Sequence, residues 1–284
     1  MQLARTILTT ALLAAFGYTA GAADNAPALL AAGRVDDAIN TLRLELSQTP
    51  NDAQAHNLPY GEKADASSFF TAAGLAKKVR TEFERAVELD PKNVDARTDL
   101  AEFYLEAPGI VGGGQDKARA QAAKLAVLDD AKAHWINGRI AEKKKDLTIA
   151  EQEYRAAIRA DNGSADSWLN LASFYRHTGR LNDMEKAIDQ ISAAPIKASV
   201  VLVDAAETLV RAGRNFPLAV QLLRRYIASG SPSEDAPTFK AHYLLGTILE
   251  KQGDKPGAAQ QYSAALTLAR NFSRAKDALN RVNR

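Results

Sequence analysis

The sequence predicts an all-α fold, a solenoid of stacked antiparallel helix pairs, and three observations carry that expectation. A pattern of about 34 residues recurs along most of the chain. Its clearest copy starts near Ala165, where Trp168, Leu171, Ala172, Tyr175, Gly179 and Ile188 hold the repeating positions. The small residue of each first helix lies a constant distance from that of the second: Gly138 to Ala150, Ala172 to Met184 and Gly246 to Ala258 are each 12 residues apart. Finally, one such pair cannot bury its own apolar face, so successive pairs must stack.

Taken in order, residues 1–23 stand apart from the array. Arg5 is their one charged side chain, Ile7 to Phe16 is apolar but for two threonines, and Ala20-Gly21-Ala22-Ala23 precedes Asp24. This is the layout of a cleavable secretory signal, with cleavage expected after Ala22 or Ala23. The apolar run is well short of the roughly 20 residues that a membrane span needs, so it reads as a signal rather than an anchor.

The array follows from residue 24. The first repeat is partial, with Gly33, Ala38, Leu42 and Pro50 matching its turn, second helix and terminator. The second has a clear second helix in Phe83 and Ala86, closed by Pro91, but Pro59 and Gly61 disfavour a continuous first helix. Its excess length is placed in the turn around Ser67 to Thr71. The third reads Leu100, Ala101, Tyr104, then Ala118, Ala122, Leu125, with extra residues in the turn Pro108 to Gly114. The fourth carries Gly138, Ala150, Tyr154 and Ala157, and the fifth is the copy at Ala165, ended by Pro195. The sixth has Ala206, Leu209, Gly213 and Ala219, with one extra residue near Pro217. The seventh has Leu245, Gly246, Gly253, Ala258, Tyr262 and Ala265. Residues 229–237, with Gly230, Pro232 and Pro237, separate repeats six and seven more than an ordinary turn would. Residues 272–282 form a last helix whose Arg274, Lys276, Asp277 and Arg281 supply the polar face that a solenoid end requires.

Composition narrows the chemistry. There is no cysteine, which excludes disulfides, thiol catalysis, Cys-ligated metal sites and lipid anchoring through a cleavage-site cysteine. The 36 basic and 34 acidic residues leave a net charge of +2, too balanced to imply nucleic acid or an acidic membrane as partner. Lys143-Lys144-Lys145, between Glu142 and Asp146, reads as a solvated helix end. No H-E-x-x-H, G-x-S-x-G or Ser/Lys signature occurs. Paired acids such as Asp129-Asp130 fall at helix ends, where capping is their ordinary role. The chain therefore reads as a non-enzyme without metal or cofactor.

From about Leu29 onward the chain resembles the tetratricopeptide repeat family, on the W-x2-L-G/A-x2-Y spacing of Trp168, Leu171, Ala172 and Tyr175 and on the 12-residue ruler. The resemblance implies a right-handed superhelix, with a helix A and a helix B in each repeat and a groove lined by the A helices. It further implies a function in binding a peptide or protein partner. Carried over by phase, the groove residues are Asp95, Asp99 and Glu102, then Lys132, Trp135 and Arg139. Asn170, Ser173 and Arg176 follow, then Asp204 and Glu207, and finally Lys240, Tyr243 and Thr247. Asn170 resembles the family's clamp asparagines, although the full basic clamp is not reproduced. Trp135 and Tyr243 are candidate apolar anchors. His134 and His242 stand where Trp168 stands in repeat five and read as packing residues.

Two further candidates lie in turns. The insertions of repeats two and three would sit side by side on one edge, offering Phe69, Phe70, Ile110 and Val111 to a partner or covering each other. The glycine-rich stretch Gly109 to Gly114, before a helix that contains Lys117, is the alternative, a small-ligand or anion site. It lacks the strand, the G-K-[ST] ending and the spacing of a phosphate loop. With its signal, the chain is expected to be exported and periplasmic, or secreted, without a membrane anchor after cleavage.

Overall fold

The computed structural model describes residues 69–194, 200–229 and 238–284. The signal segment, the first repeat, His56, Pro59, Gly61, Ser67, Ser68, Pro195 and the prolines of the 229–237 loop lie outside the described residues. Among the described residues there are twelve α-helices and no strand. No helix among them is long and apolar enough to cross a membrane. The chain divides into two compact units, whose described parts are 69–163 and 164–284.

The first unit holds α1 (Phe69–Leu89), α2 (Val94–Glu106), α3 (Gln115–Leu125), α4 (Asp130–Lys143) and α5 (Leu147–Ala160). Helices α2 with α3 and α4 with α5 form the antiparallel pairs of repeats three and four. The second unit holds α6 (Ala165–His177), α7 (Leu181–Ala193), α8 (Val200–Ala212), α9 (Phe216–Ala228), α10 (Thr238–Lys251), α11 (Lys255–Leu268) and α12 (Ser273–Val282). Its three pairs are followed by α12, which packs on α10 and α11 as the expected terminal helix. Ala275, Ala278 and Val282 give α12 a narrow buried stripe, and its charged residues face outward.

Small residues at helix crossings set the phase. Ala150, Ala172, Met184 and Ala258 are fully buried. A methyl group added at Gly138 would lie 3.0 Å from the Tyr154 ring, and one at Gly246 would lie 2.7 Å from the Tyr262 ring. Each glycine thus lets a buried tyrosine of helix B lie against the backbone of helix A. The tyrosine hydroxyls donate to Glu142 (2.9 Å) and Glu250 (2.7 Å) one turn further along.

Side-chain caps start six of the twelve helices among the described residues. Asn93, Asp129, Asp146, Ser164, Asn215 and Asp254 each accept a hydrogen bond from an amide in the first turn. This is the capping role expected of Asp129. Between the helices of a pair, the turn reverses through a left-handed residue. Gly179, Gly213 and Gly253 provide it in repeats five to seven, and Lys145 (φ 66°) takes it in repeat four. The left-handed region costs an L-residue roughly 1–2 kcal/mol, and glycine returns part of that through its freer unfolded chain. Lys145→Gly is therefore expected to stabilise the protein by about 0.5–1 kcal/mol in urea denaturation; a loss of stability would contradict this reading of the turn. In repeat six the extra residue lies at Arg214-Asn215, before Pro217, and is absorbed by a left-handed Asn215 (φ 42°).

Two sequence expectations are corrected. The turn of repeat two does not extend over Phe69 to Thr71, because α1 is one continuous 21-residue helix. That segment is rich in alanine, leucine, lysine and glutamate and has no proline, so helix continues where an inserted loop was expected. Phe69 and Phe70 therefore begin a helix and leave the proposed loop edge. In repeat three the enlarged turn is present and holds a short 3-10 segment, Gly109–Val111. Val111 points into the core with Phe83, Leu100, Phe103 and Leu125 and is 4% exposed, so it is not a partner-facing residue.

Candidate functional site

The A helices present one charged face in each unit. In the first, Asp95, Asp99, Glu102 and Glu106 fall at three- and four-residue spacing on α2, which sets them on one face. Lys132, Trp135, Arg139 and Lys143 do the same on α4. The two stripes meet. Arg139 donates from one nitrogen to Glu102 (2.9 Å) and from another to Glu106 (2.8 Å). Lys143 donates to Glu106 (3.0 Å) and to the Leu105 carbonyl. Lys132 and Arg139 both lie over the Trp135 ring, at 5.7 and 5.8 Å from its centroid. Burial pushes the Glu102 carboxyl up, against the pull of Arg139. Burial pulls the Arg139 guanidinium down, but Glu102 and its neighbours outweigh that and hold it above its usual value.

In the second unit the same geometry recurs between α8 and α10. Lys240 bridges Glu207 (3.0 Å) and Asp204 (3.5 Å), and Arg211 pairs with Glu207 at 2.6 Å. Burial raises Glu207, but Lys240 and Arg211 outweigh it and hold the carboxyl below its ordinary value. Burial raises Asp204. On α6, Asn170 and Ser173 are half-buried on the matching face, and Arg176 meets the His177 ring at 2.7 Å.

Tyr243 takes a different role from the expected free anchor. Its ring packs on Tyr262 (5.7 Å) and Phe272 (5.0 Å), and Phe272 also meets Phe239 (5.0 Å). These aromatics hold the terminal helix in place. A clasp adjoins them, in which Arg281 of α12 grips both oxygens of Glu250 at 2.6 and 2.9 Å while Tyr262 donates to the same carboxylate. The hydrogen bond from Arg281, then that from Tyr262, outweigh burial and draw Glu250 down to about 2. A depressed carboxylate contributes stability above its unfolded pKa and loses it as pH falls through the folded value. The α10–α12 clasp is therefore expected to weaken between roughly pH 4.5 and pH 2. Hydrogen exchange of α12 amides should rise across that window in the wild type and be insensitive to it in Glu250→Gln. Equal pH dependence in both proteins would remove the clasp from the account.

Several expected site residues are thus engaged already. Glu102, 8% exposed, and Arg139 hold each other and Glu106, so Arg139 is a strut of the groove floor rather than a free clamp. Lys143 adds to that strut through Glu106 while staying exposed at the helix end, as expected of the lysine run. The glycine-rich turn offers no anion cradle. The amides of Val111, Gly112, Gly113 and Gly114 donate to Pro108, Gly109, Pro108 and Tyr104 carbonyls, and Lys117 donates to the Gly112 carbonyl. A Cβ at Gly113 would lie 1.8 Å from the Ala107 carbonyl oxygen, which makes this glycine a requirement of close backbone packing. His134 and His242 do more than pack. Their Nδ1 atoms lie 2.7 Å from Glu153 and 2.8 Å from Gln261 on the paired B helix.

Trp135, Asn170, Asp99 and Arg176 are half-buried on their A helices, and Ile110 is 76% exposed at the tip of the α2–α3 turn. Sequence reasoning missed Leu147 and Ile149, which are exposed at the start of α5. Their signal was available in the sequence: two aliphatic residues directly after a helix N-cap, off the buried stripe of Ala150, Tyr154 and Ala157.

The family model described as tetratricopeptide repeat matches residues 112–165 and 203–275. These stretches take in α3 to α5 and most of α8 to α11, and the copy at Ala165 falls between them. No curated protein matches the sequence. Among solved structures, a tetratricopeptide repeat protein from Parabacteroides merdae aligns over the whole of both chains at 16% identity, with a TM-score of 0.47. Yeast Tom70 aligns over 99% of this chain and 61% of its own at 12% identity, with a TM-score of 0.57. PilF of Pseudomonas aeruginosa aligns over 77% of this chain and 94% of its own at 15% identity, with a TM-score of 0.42. At these identities the likeness is one of fold, and the Tom70 alignment supports stacked tetratricopeptide-type helix pairs.

Proposed function

We propose that this protein is a non-enzymatic scaffold of the bacterial cell envelope that holds a peptide or protein partner against the A-helix faces of its repeats. Tetratricopeptide repeats mediate protein–protein interactions, which gives the class of function. The observation that carries the reading is the pairing of successive A helices through Glu102–Arg139 and Glu207–Lys240. Each pair gives its own unit a preorganised floor with its charges paired, so a partner does not have to order it. Recognition over such a floor rests on hydrogen bonds and apolar contact: Trp135 in the first unit, Asn170 and Ser173 in the second. The export signal read in residues 1–23 supports the envelope placement.

Trp135→Ala and Asn170→Ala are the informative variants, because both side chains lie on the A-helix faces outside the ion pairs; Trp135 also packs on the core of the first unit beneath Arg139, so its loss of capture counts only with melting unchanged. Each is expected to weaken capture of a defined partner from cell-envelope extract by tenfold or so, on the scale of a hot-spot side chain. Unchanged capture by both would remove the A-helix face as the binding surface. N-terminal sequencing of the protein from the envelope fraction is expected to start at Ala23 or Asp24. A chain found in the cytoplasm with its first residues intact would refute the placement.

A further inference from the structure

A second surface lies on the edge of the first unit. Lys143, at the end of α4, is bonded to the Leu105 carbonyl and to Glu106 at the end of α2. The C-terminal ends of α2 and α4 are therefore side by side, and the turns that follow them leave the unit along one edge. Ile110 stands 76% exposed in the first of those turns, and Leu147 (44%) and Ile149 (43%) are exposed where the second leads into α5. Those three are half of the large exposed hydrophobic side chains among the described residues. Scattered single residues of this kind are ordinary, whereas a cluster on one edge marks an interaction site.

The charge of the edge identifies what it takes. Lys144 and Lys145 are exposed beside the apolar residues and make no ion pair among the described residues. Of the nearby acids, Glu106 is paired with Arg139 and Lys143, while Asp146 accepts the Ile149 amide and Glu142 the Tyr154 hydroxyl. The edge thus presents aliphatic side chains next to two exposed lysines that make no ion pair among the described residues. We propose that it docks a partner segment in which apolar side chains are flanked by aspartate or glutamate, with the apolar groups on Ile110, Leu147 and Ile149 and the carboxylates on Lys144 and Lys145. This rests on the protein-binding reading and gives the partner its chemistry; it adds a surface separate from the A-helix face.

A random dodecapeptide display selection on the immobilised full chain tests it. Selected peptides are expected to be enriched in Leu, Ile, Val or Phe flanked by Asp or Glu. The triple variant Ile110→Ser/Leu147→Ser/Ile149→Ser should lose them at least tenfold, and Lys144→Glu/Lys145→Glu should lose them about as much. Raising the salt to 0.5 M should weaken wild-type binding severalfold, since surface charge attraction is screened. All five side chains are exposed, and unchanged circular dichroism and melting would show that the variants fold. Selected peptides without acidic enrichment overturn the proposal, as do peptides that the variants still bind. If such peptides are lost instead in Trp135→Ala or Asn170→Ala, the edge fails and the protein-binding reading stands; no selected peptide at all sinks both. Phosphatidylglycerol vesicles and light scattering complete the test: Ile110-dependent vesicle binding without acidic-peptide binding would assign the edge to lipid, and an Ile110-dependent dimer would assign it to a second copy. Either result overturns the proposal.

Discussion

Replacing Arg139 with alanine is expected to destabilise the first unit by about 3 kcal/mol, because removing one member of a buried pair leaves the other charge uncompensated. Glu102 is 8% exposed, and burial already pushes its carboxyl up. Without the guanidinium it must either stay charged in a poor environment or take up a proton. Glu106 loses a partner as well but keeps Lys143. The double variant Glu102→Gln/Arg139→Met is expected to recover most of the loss, since a buried ion pair exceeds its uncharged replacement by little or nothing. Chemical denaturation of Glu102→Gln, Arg139→Met and the double variant gives the coupling directly. Additive effects would mean that the two residues do not form the pair described.

Gly246→Leu is expected to cost about 3 kcal/mol, at the upper end of overpacking penalties in a close-packed core. Even a methyl group here would stand 2.7 Å from the Tyr262 ring. That ring cannot easily retreat, because its hydroxyl is bonded to Glu250, which Arg281 grips in turn. Gly246→Ala should cost less, about 1 kcal/mol, since alanine recovers helix propensity worth roughly the same amount. Gly138→Ala should be milder still, its added methyl lying 3.0 Å from the Tyr154 ring. Ala150→Leu and Ala258→Leu test the other side of the same crossings, with an expected cost of about 1–3 kcal/mol each. Melting temperatures that do not follow this order would shift the register of the helix pairs.

Much of the fold was legible because a repeat shows its packing phase several times. The 12-residue spacing identified Gly138, Ala150, Gly246 and Ala258 from size alone, and all four lie at tight crossings. The terminal helix was legible from its charged face. What one helix presents to the next repeat was less so. Glu102 and Arg139 are 37 residues apart, and their meeting depends on how α2 and α4 align, which no local pattern encodes. The sequence placed both residues on the right face and left open that they satisfy each other. Tyr243 was read as an anchor for the same reason, since only the packed position of Phe272 shows what covers it. The two irregular repeats failed differently. Extra length was assigned to turns, but helix-favouring residues carried α1 back to Phe69, and Val111 turned inward from a loop judged solvent-facing.

Position-specific photo-crosslinking in the envelope of the native host tests the central claim most directly. A crosslinking residue is placed at 135, 170 or 110, and at Arg159 as an exposed control on α5 away from these surfaces. The account predicts that at least one of the three positions on the proposed surfaces captures one discrete protein and that position 159 does not. Absence of any crosslinked protein from all three, or equal capture from position 159, would contradict a scaffold that binds its partner through these surfaces.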